Sequence, residues 1–306
     1  MINGHVETIL PSTLRKAPAI SYTRERIDTP DHDFLDLDWS CVGSGTLVIL
    51  SHGLEGDTHR PYMKGMVHAL NKAGWDTVAW NYRSCSGEPN RLLRSYHMGV
   101  MEDLDLVVQH SLSKGKYQTV FLVGFSMGGN LTLNYVGQWA HRLPIQIKAV
   151  AVFSVPCHMQ SACHQLAKPQ NRIYMKRFLR TLHQKLQAKA TRFTVDLTDY
   201  HQIKTFAEFD NRYTAPIHGF KDAADYYERC SSVHHLHKIQ VPTLLVNALN
   251  DPFLSPECFP KEQARQNPNF YLEMPAQGGH VGFSENFTQG QYYSEKRAVA
   301  FLQPYA

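Results

Sequence analysis

The sequence predicts a doubly wound α/β domain whose mostly parallel sheet is interrupted once by a helical insertion. Three observations carry this. Short apolar runs of strand length recur along the 306 residues, and near-continuous Val/Ile/Leu runs suit strands covered on both faces. Segments with helical spacing lie between them, the alternation expected of a wound sheet. One stretch, from about Pro156 to His237, holds no such run. That is far longer than an ordinary connection.

Taken in order, Ser21 to Ile27 and Phe34 to Trp39 read as an antiparallel pair at the sheet edge. Buried strands follow at Thr46–Ser51, Trp75–Trp80, Thr119–Gly124, Lys148–Phe153, Thr243–Asn247 and Phe270–Glu273. Helices are expected at Tyr62–Ala73, at Gly99–Ser113 (with Leu104, Val107, Val108 and Leu112 on one face) and at Asn130–Trp139. Within the strandless stretch, Arg172 to Ala190 reads as a helix with Leu179, Leu182 and Leu186 aligned, and Ala223 to Tyr227 as another. The organisation expected is a core in two parts, residues 1–155 and 238–306, with residues 156–237 as a helical cap.

Composition narrows the function classes. Hydrophobic residues make up 43% and charged residues 19%, so a chain of this length builds a core without disulfides or metal. The net charge of +4 and the lack of a clustered basic-aromatic motif argue against nucleic acid. Six cysteines, none in a Cys-x-x-Cys pair, read as free thiols in a reducing compartment. Met1 to Glu7 carries no basic n-region leading into an apolar run, and no stretch approaches a membrane span. The expectation is a cytoplasmic protein.

The chemistry centres on Gly124-Phe125-Ser126-Met127-Gly128, a Gly-x-Ser-x-Gly motif. Alone it is weak, since Gly and Ser are common. Here a strand run precedes it and a helical pattern follows, as a nucleophile elbow requires. A serine hydroxyl needs a base, and the base an orienting acid. In elbow folds they follow in the order Ser, acid, His. Asp251 lies just beyond the Thr243 run. His280, between Gly278-Gly279 and Gly282, lies beyond the last one. Ser51-His52-Gly53-Leu54 follows the first buried strand, where half an oxyanion hole is built. The donors expected are the backbone N–H groups of Leu54 and Met127, with His52 bracing the loop. Simpler readings of the same residues are a Gly-rich turn with an inert Ser126, an Asp-Pro turn at Asp251 and a packing role for His280; position and order favour the catalytic set. An acidic nucleophile, a His-Glu-x-x-His zinc motif and a Gly-x-Gly-x-x-Gly dinucleotide loop after a strand do not occur in the sequence, so no metal or organic cofactor is expected.

Together these motifs resemble the α/β-hydrolase superfamily. A narrower set resembles the YheT-like hydrolases, also called AB hydrolase family 4. It comprises Asn3-Gly4-His5 with Thr8-Ile9, Asn81-Tyr82-Arg83 with Gly87-Glu88-Pro89-Asn90, Glu208-Phe209-Asp210, Thr214-Ala215-Pro216, Gly219-Phe220, Tyr226-Tyr227, and Asp251-Pro252-Phe253 with Gly278-Gly279-His280 and Gly282-Phe283. The resemblance spans nearly the whole chain. It implies a carboxylesterase on short- to medium-chain acyl esters using Ser126, Asp251 and His280, with acyl transfer to alcohols or lipid hydrolysis as alternatives. A catalytically silent binding protein on the same fold is the alternative of another class. The chain departs from the family at Ser84, where Gly is usual, and at Asn250, where an acidic pair is common. Asn cannot be the acid, which strengthens Asp251.

Three secondary features have two readings each. Arg172, Lys176, Arg177, Arg180, Lys185, Lys189 and Arg192 form a basic run on the cap helix. A solvated outer face is favoured over transient contact with a lipid surface. Tyr174, Phe178, Phe206, Phe209, Phe220 and Phe283 are candidates for an acyl pocket, though core packing is the commoner role for any one. Arg83 either anchors a loop near the site or pairs with a carboxylate. The expected partner is a small acyl ester; oligomeric state is not legible.

Overall fold

A computed structural model describes residues 3–288 and 290–306. Met1 and Ile2, the first residues of the opening read above for a leader, lie outside the described residues. The strands are β1 Thr23–Asp28, β2 Phe34–Ser40, β3 Thr46–Ser51, β4 Asp76–Asn81, β5 Thr119–Phe125, β6 Ile147–Phe153, β7 Thr243–Val246 and β8 Phe270–Glu273. The helices are α1 Gly4–Leu14, α2 Pro61–Lys72, α3 Met101–Ser113, α4 Met127–Gln138, α5 Met159–Leu166, α6 Arg172–Ala190, α7 Phe206–Phe209, α8 Ala215–His218, α9 Ala223–Cys230, α10 Lys261–Gln266 and α11 Tyr293–Leu302.

The strands form one sheet in the order β1-β2-β4-β3-β5-β6-β7-β8. Strand β2 runs antiparallel to both β1 and β4, and the remaining pairs are parallel. Side chains alternate between faces with the period of two that a strand imposes. On β3, Leu47 and Ile49 join a layer with Leu104, Val107 and Val108 of α3 and Leu131 and Val136 of α4. Val48 and Leu50 join the opposite layer with Met63, Met66 and Leu70 of α2 and Phe301 of α11. Two-sided burial is why these strands read as unbroken apolar runs.

The edge pair alternates imperfectly for a physical reason. Leu35, Leu37 and Trp39 face the core, while Asp36 and Asp38 lie buried beneath Arg26 and Arg24 directly across on β1. Phe34 lies under the Arg26 guanidinium, 3.8 Å from ring centroid to carbon.

The helix α6 has the bounds expected, and Leu179 and Leu186 are buried with Phe206, Phe209 and Phe253. The helix after the elbow starts at Met127, three residues earlier than its periodicity suggested. Two terminal helices, α1 and α11, are not among the helices the sequence reading expects. The buried face of α1 is Gly4, Glu7 and Pro11, which no hydrophobicity pattern detects.

Candidate active site

Ser126 stands at the turn from β5 into α4 with φ 53° and ψ −117°. L-residues rarely adopt such a backbone, and it costs about 1–3 kcal/mol. The flanking glycines are required by close approach. A Cβ at Gly124 would lie 2.6 Å from the Gly128 carbonyl oxygen, and one at Gly128 would meet the Ser51 and His52 carbonyls. The Ser126 N–H donates to Phe153 O at 2.9 Å, so β6 holds the turn from the side.

The structure brings the three predicted polar side chains into one line. The Ser126 hydroxyl meets His280 Nε2 at 2.9 Å, and His280 Nδ1 meets Asp251 Oδ2 at 2.9 Å. With Asp251 ionised, Nδ1–H donates to the carboxylate, leaving the Nε2 lone pair for the serine O–H. The second Asp251 oxygen accepts from Phe253 N–H at 2.9 Å. The Phe253 ring stacks on the His280 imidazole at 4.1 Å, fixing its plane.

Leu54 and Met127 both line the cavity that contains Ser126. Among the described residues neither backbone N–H donates to another protein group. The loop carrying Leu54 is braced on both sides. Tyr62 Oη accepts from Gly53 N–H at 2.9 Å, and Glu55 N–H donates to Tyr96 Oη at 3.2 Å. His52 is fully buried, with one ring nitrogen against Gly53 O at 2.8 Å and the other against Tyr82 N–H at 3.4 Å. Burial pushes its pKa down to about 4, so the ring is neutral, and both its nitrogens are taken up in bracing the loop.

The loop of His280 is held by a part of the chain that the sequence reading did not connect to it. Glu7 Oε2, on α1, accepts from Gly278 N–H at 3.0 Å and from the Asn250 amide at 2.6 Å. Asn250 Oδ1 in turn accepts from Gly279 N–H at 3.0 Å. Thr8 Oγ1 accepts from His280 N–H at 2.9 Å. Helix α1 thus binds the Asp251 loop and the His280 loop together. The only signal for it in the sequence is the Asn3-Gly4-His5, Thr8-Ile9 motif, which carries a family resemblance and no role of its own. Asn250, set aside because it cannot be the acid, is the residue that joins the two loops.

The cavity over Ser126 has a volume of about 440 Å³. Tyr174, Phe178, Phe206 and Phe209 line it. Phe220 and Phe283 do not: Phe220 packs on His97 and Tyr226, and Phe283 on Phe153. Phe253, Tyr226 and Tyr227 are further lining residues, their role invisible before the chain is folded. The buried Asp210 carboxylate accepts from Thr214 and Tyr227 hydroxyls at 2.5 and 2.7 Å. Burial pushes its pKa up to about 6.

The basic run on α6 is not uniformly solvated. Lys185 donates to Glu55 at 2.8 Å and to Cys85 Sγ at 3.0 Å. Lys189 is buried and donates to Asn90 Oδ1 at 2.7 Å and Leu92 O at 2.5 Å. One helical turn apart, the two lysines project on one side and fasten α6 to the loop after β4 and to the Leu54 loop. Arg83 lies beneath them, bidentate to Asp103 at 2.8 Å and bonded to Asp31 at 2.8 Å. It is a buried ion-pair anchor and does not line the cavity. Ser84 has φ 63°, the left-handed backbone that explains a family glycine. Its hydroxyl closes a local bond with Asn90 at 2.5 Å. Among the described residues no group of metal-ligating side chains occurs, and no helix is long and apolar enough to cross a membrane.

The sheet order, the strand-to-helix elbow and the loops at the strand ends define the α/β-hydrolase class. A hydrolase family model described as serine aminopeptidase, S33, matches residues 44–269. YheT of Escherichia coli (strain K12) is 32% identical over 99% of this chain and 91% of its own length. Phospholipase ABHD3 of Mus musculus is 33% identical over 97% of this chain and 75% of its own length. Monoacylglycerol lipase of Saccharomyces cerevisiae is 27% identical over 81% of this chain and 57% of its own. Among solved structures, the Pyrococcus furiosus esterase Pf2001 superposes with a TM-score of 0.64 at 18% identity, covering 95% of each chain; this likeness shows the fold. The chain belongs to the YheT-like hydrolases of the α/β-hydrolase superfamily.

Proposed function

We propose that this hydrolase cleaves carboxylic acyl esters of short to medium chain length through an acyl-enzyme on Ser126. The observation that carries the reading is the unbroken Asp251–His280–Ser126 line opening into a 440 Å³ cavity with aromatic walls. Relatives named as a phospholipase and a monoacylglycerol lipase support acyl esters as the substrate class.

Ser126 Oγ attacks the ester carbonyl while His280 Nε2 takes its proton. Asp251 holds the imidazole and stabilises the imidazolium. The carbonyl oxygen, now negative, is received by the N–H groups of Leu54 and Met127. Collapse expels the alcohol, protonated by His280, and leaves the acyl group on Ser126. Water, deprotonated by the same His280, then releases the acid and restores the serine. Residues 156–237 act as the cap over this site, and the cavity between cap and sheet receives the acyl chain. Lys185 and Lys189 hold the cap in register with the Leu54 loop.

A panel of p-nitrophenyl esters of graded acyl length, run on the wild type and Ser126→Ala, tests this. Wild type is expected to hydrolyse the shorter members, and a fluorophosphonate probe to label it at Ser126. Failure to hydrolyse any ester, together with turnover of aminoacyl p-nitroanilides, would replace the esterase reading with a peptidase.

A further inference from the structure

Helix α1 is an inside-out amphipathic helix. Its one charged side chain, Glu7, is buried. Its outer face carries Val6 at 39%, Ile9 at 39% and Leu14 at 50% exposure. Helix α6 lies beside it: Tyr174 stacks on His5 at 5.7 Å and their polar atoms meet at 3.2 Å. The outer face of its first half is Arg172, Ile173, Lys176, Arg177 and Arg180, all exposed, with Ile173 at 76%. No acidic residue occurs in α6. None of these four cations joins an ion pair or side-chain hydrogen bond among the described residues, in contrast to Lys185 and Lys189 on the same helix. Among the described residues, eight large apolar side chains are left exposed, and four of them are on these two helices. Ile9, Ile173 and Arg177 also line the mouth of the cavity that holds Ser126.

We propose that the outer faces of α1 and the first half of α6 dock on an anionic lipid bilayer, with the cavity mouth turned to the lipid. Bare aliphatic side chains beside unpaired cations are the composition that partitions into a headgroup boundary. The chemistry selects this occupant over others. A second copy related by two-fold symmetry would set four cations against four. A nucleic-acid backbone would satisfy the cations but leave the aliphatic face of α1 in water. The solvated-face expectation holds for the first half of α6, whose four cations are exposed, and fails for the second, where Lys185 and Lys189 are fastened inward.

Co-sedimentation with vesicles tests it, using phosphatidylcholine alone and phosphatidylcholine mixed with phosphatidylglycerol. The wild type is expected to sediment with the mixed vesicles and not with phosphatidylcholine alone. Binding should weaken steeply with salt, because the screening length falls from about 10 Å at 0.1 M to about 3 Å at 1 M. The triple variant Arg172→Gln, Lys176→Gln, Arg180→Gln should lose about 100-fold in vesicle affinity, at about five-fold per cation. Val6→Asp should lose roughly 10-fold. Both variants should hydrolyse a soluble p-nitrophenyl ester at the wild-type rate, which also reports correct folding. Four results would overturn the proposal: no sedimentation with either vesicle, equal binding to both, an undiminished triple variant, or self-association in vesicle-free solution that Val6→Asp abolishes. A DNA duplex binding as tightly as the mixed vesicles, with Val6→Asp without effect, would assign the cations to nucleic acid instead. The proposal goes beyond the esterase reading and is separable from it, since sedimentation is read without turnover.

Discussion

Ser126 and His280 face each other at 2.9 Å, yet they are held by opposite means. Ser126 is positioned by its neighbours: strand β5 before it, helix α4 after it, and two glycines that let the backbone turn. His280 is on a turn with Gly278 at φ 156° and Gly279 at φ 56°, conformations that leave a loop free to go many ways. Its ring is set by Asp251 and Phe253, and its loop is held by Glu7 and Thr8, more than 270 residues earlier in the chain. A nucleophile can be built into a local motif because its task is to project from a sheet. The proposed base must aim at that point from another loop, and only a tertiary tether sets the angle.

The comparison can be broken most forcefully at the reacting atoms. Ser126→Ala, and separately Asp251→Asn, should each lower kcat on a p-nitrophenyl ester by about 10⁴-fold, the latter by leaving His280 in the wrong tautomer. Retained turnover in either would remove the proposed line from the mechanism.

The tether comes next. Glu7→Ala should lower kcat by roughly 10- to 100-fold with KM little changed, because misplacing a reacting group by about an ångström costs that much. Glu7→Gln should recover most of the loss, since its amide oxygen can accept both bonds that Oε2 accepts. A merely structural helix would show lowered thermal stability and an unchanged kcat in the folded fraction. Thr8→Val leaves His280 N–H without its acceptor. A smaller fall in fluorophosphonate labelling rate is expected, roughly 5- to 10-fold, in line with about 1 kcal/mol for one lost hydrogen bond.

The smallest effect on turnover belongs to a group away from both loops. Asp210 is held protonated to a higher pH in the folded protein than in the unfolded chain. Between about pH 4 and pH 6 the unfolded chain gives up this proton first, so stability falls across that window and the cost stays full above it. With the carboxyl pushed up to about 6, that cost is about 2–3 kcal/mol. Asp210→Asn should therefore raise the thermal midpoint at pH 7 relative to wild type, with the gain shrinking as pH falls toward 4. A gain independent of pH would contradict this account.

Much of the fold was legible because β3 to β7 are buried on both faces and therefore read as uniform apolar runs. The α6 bounds were legible from its leucine spacing. Boundaries slipped where burial and period disagree: α4 begins at Met127 because the elbow itself starts the helix, while its apolar pattern starts later. The first helix was missed because α1 packs a carboxylate, a glycine and a proline inward and turns its aliphatic residues out, reversing the usual signal.

What the sequence determined alone is whatever short-range geometry dictates: the strand-turn-helix at Ser126 and the order of Asp251 and His280 behind it. Only the tertiary structure decided how those pieces meet. The pairing of Asn250 with Glu7, the choice of Phe253 over Phe283 for the cavity and the division of α6 into a fastened and an exposed half all depend on contacts between residues far apart in the chain. Such contacts depend on which surfaces meet after the sheet has formed, and no local pattern of residue types records that.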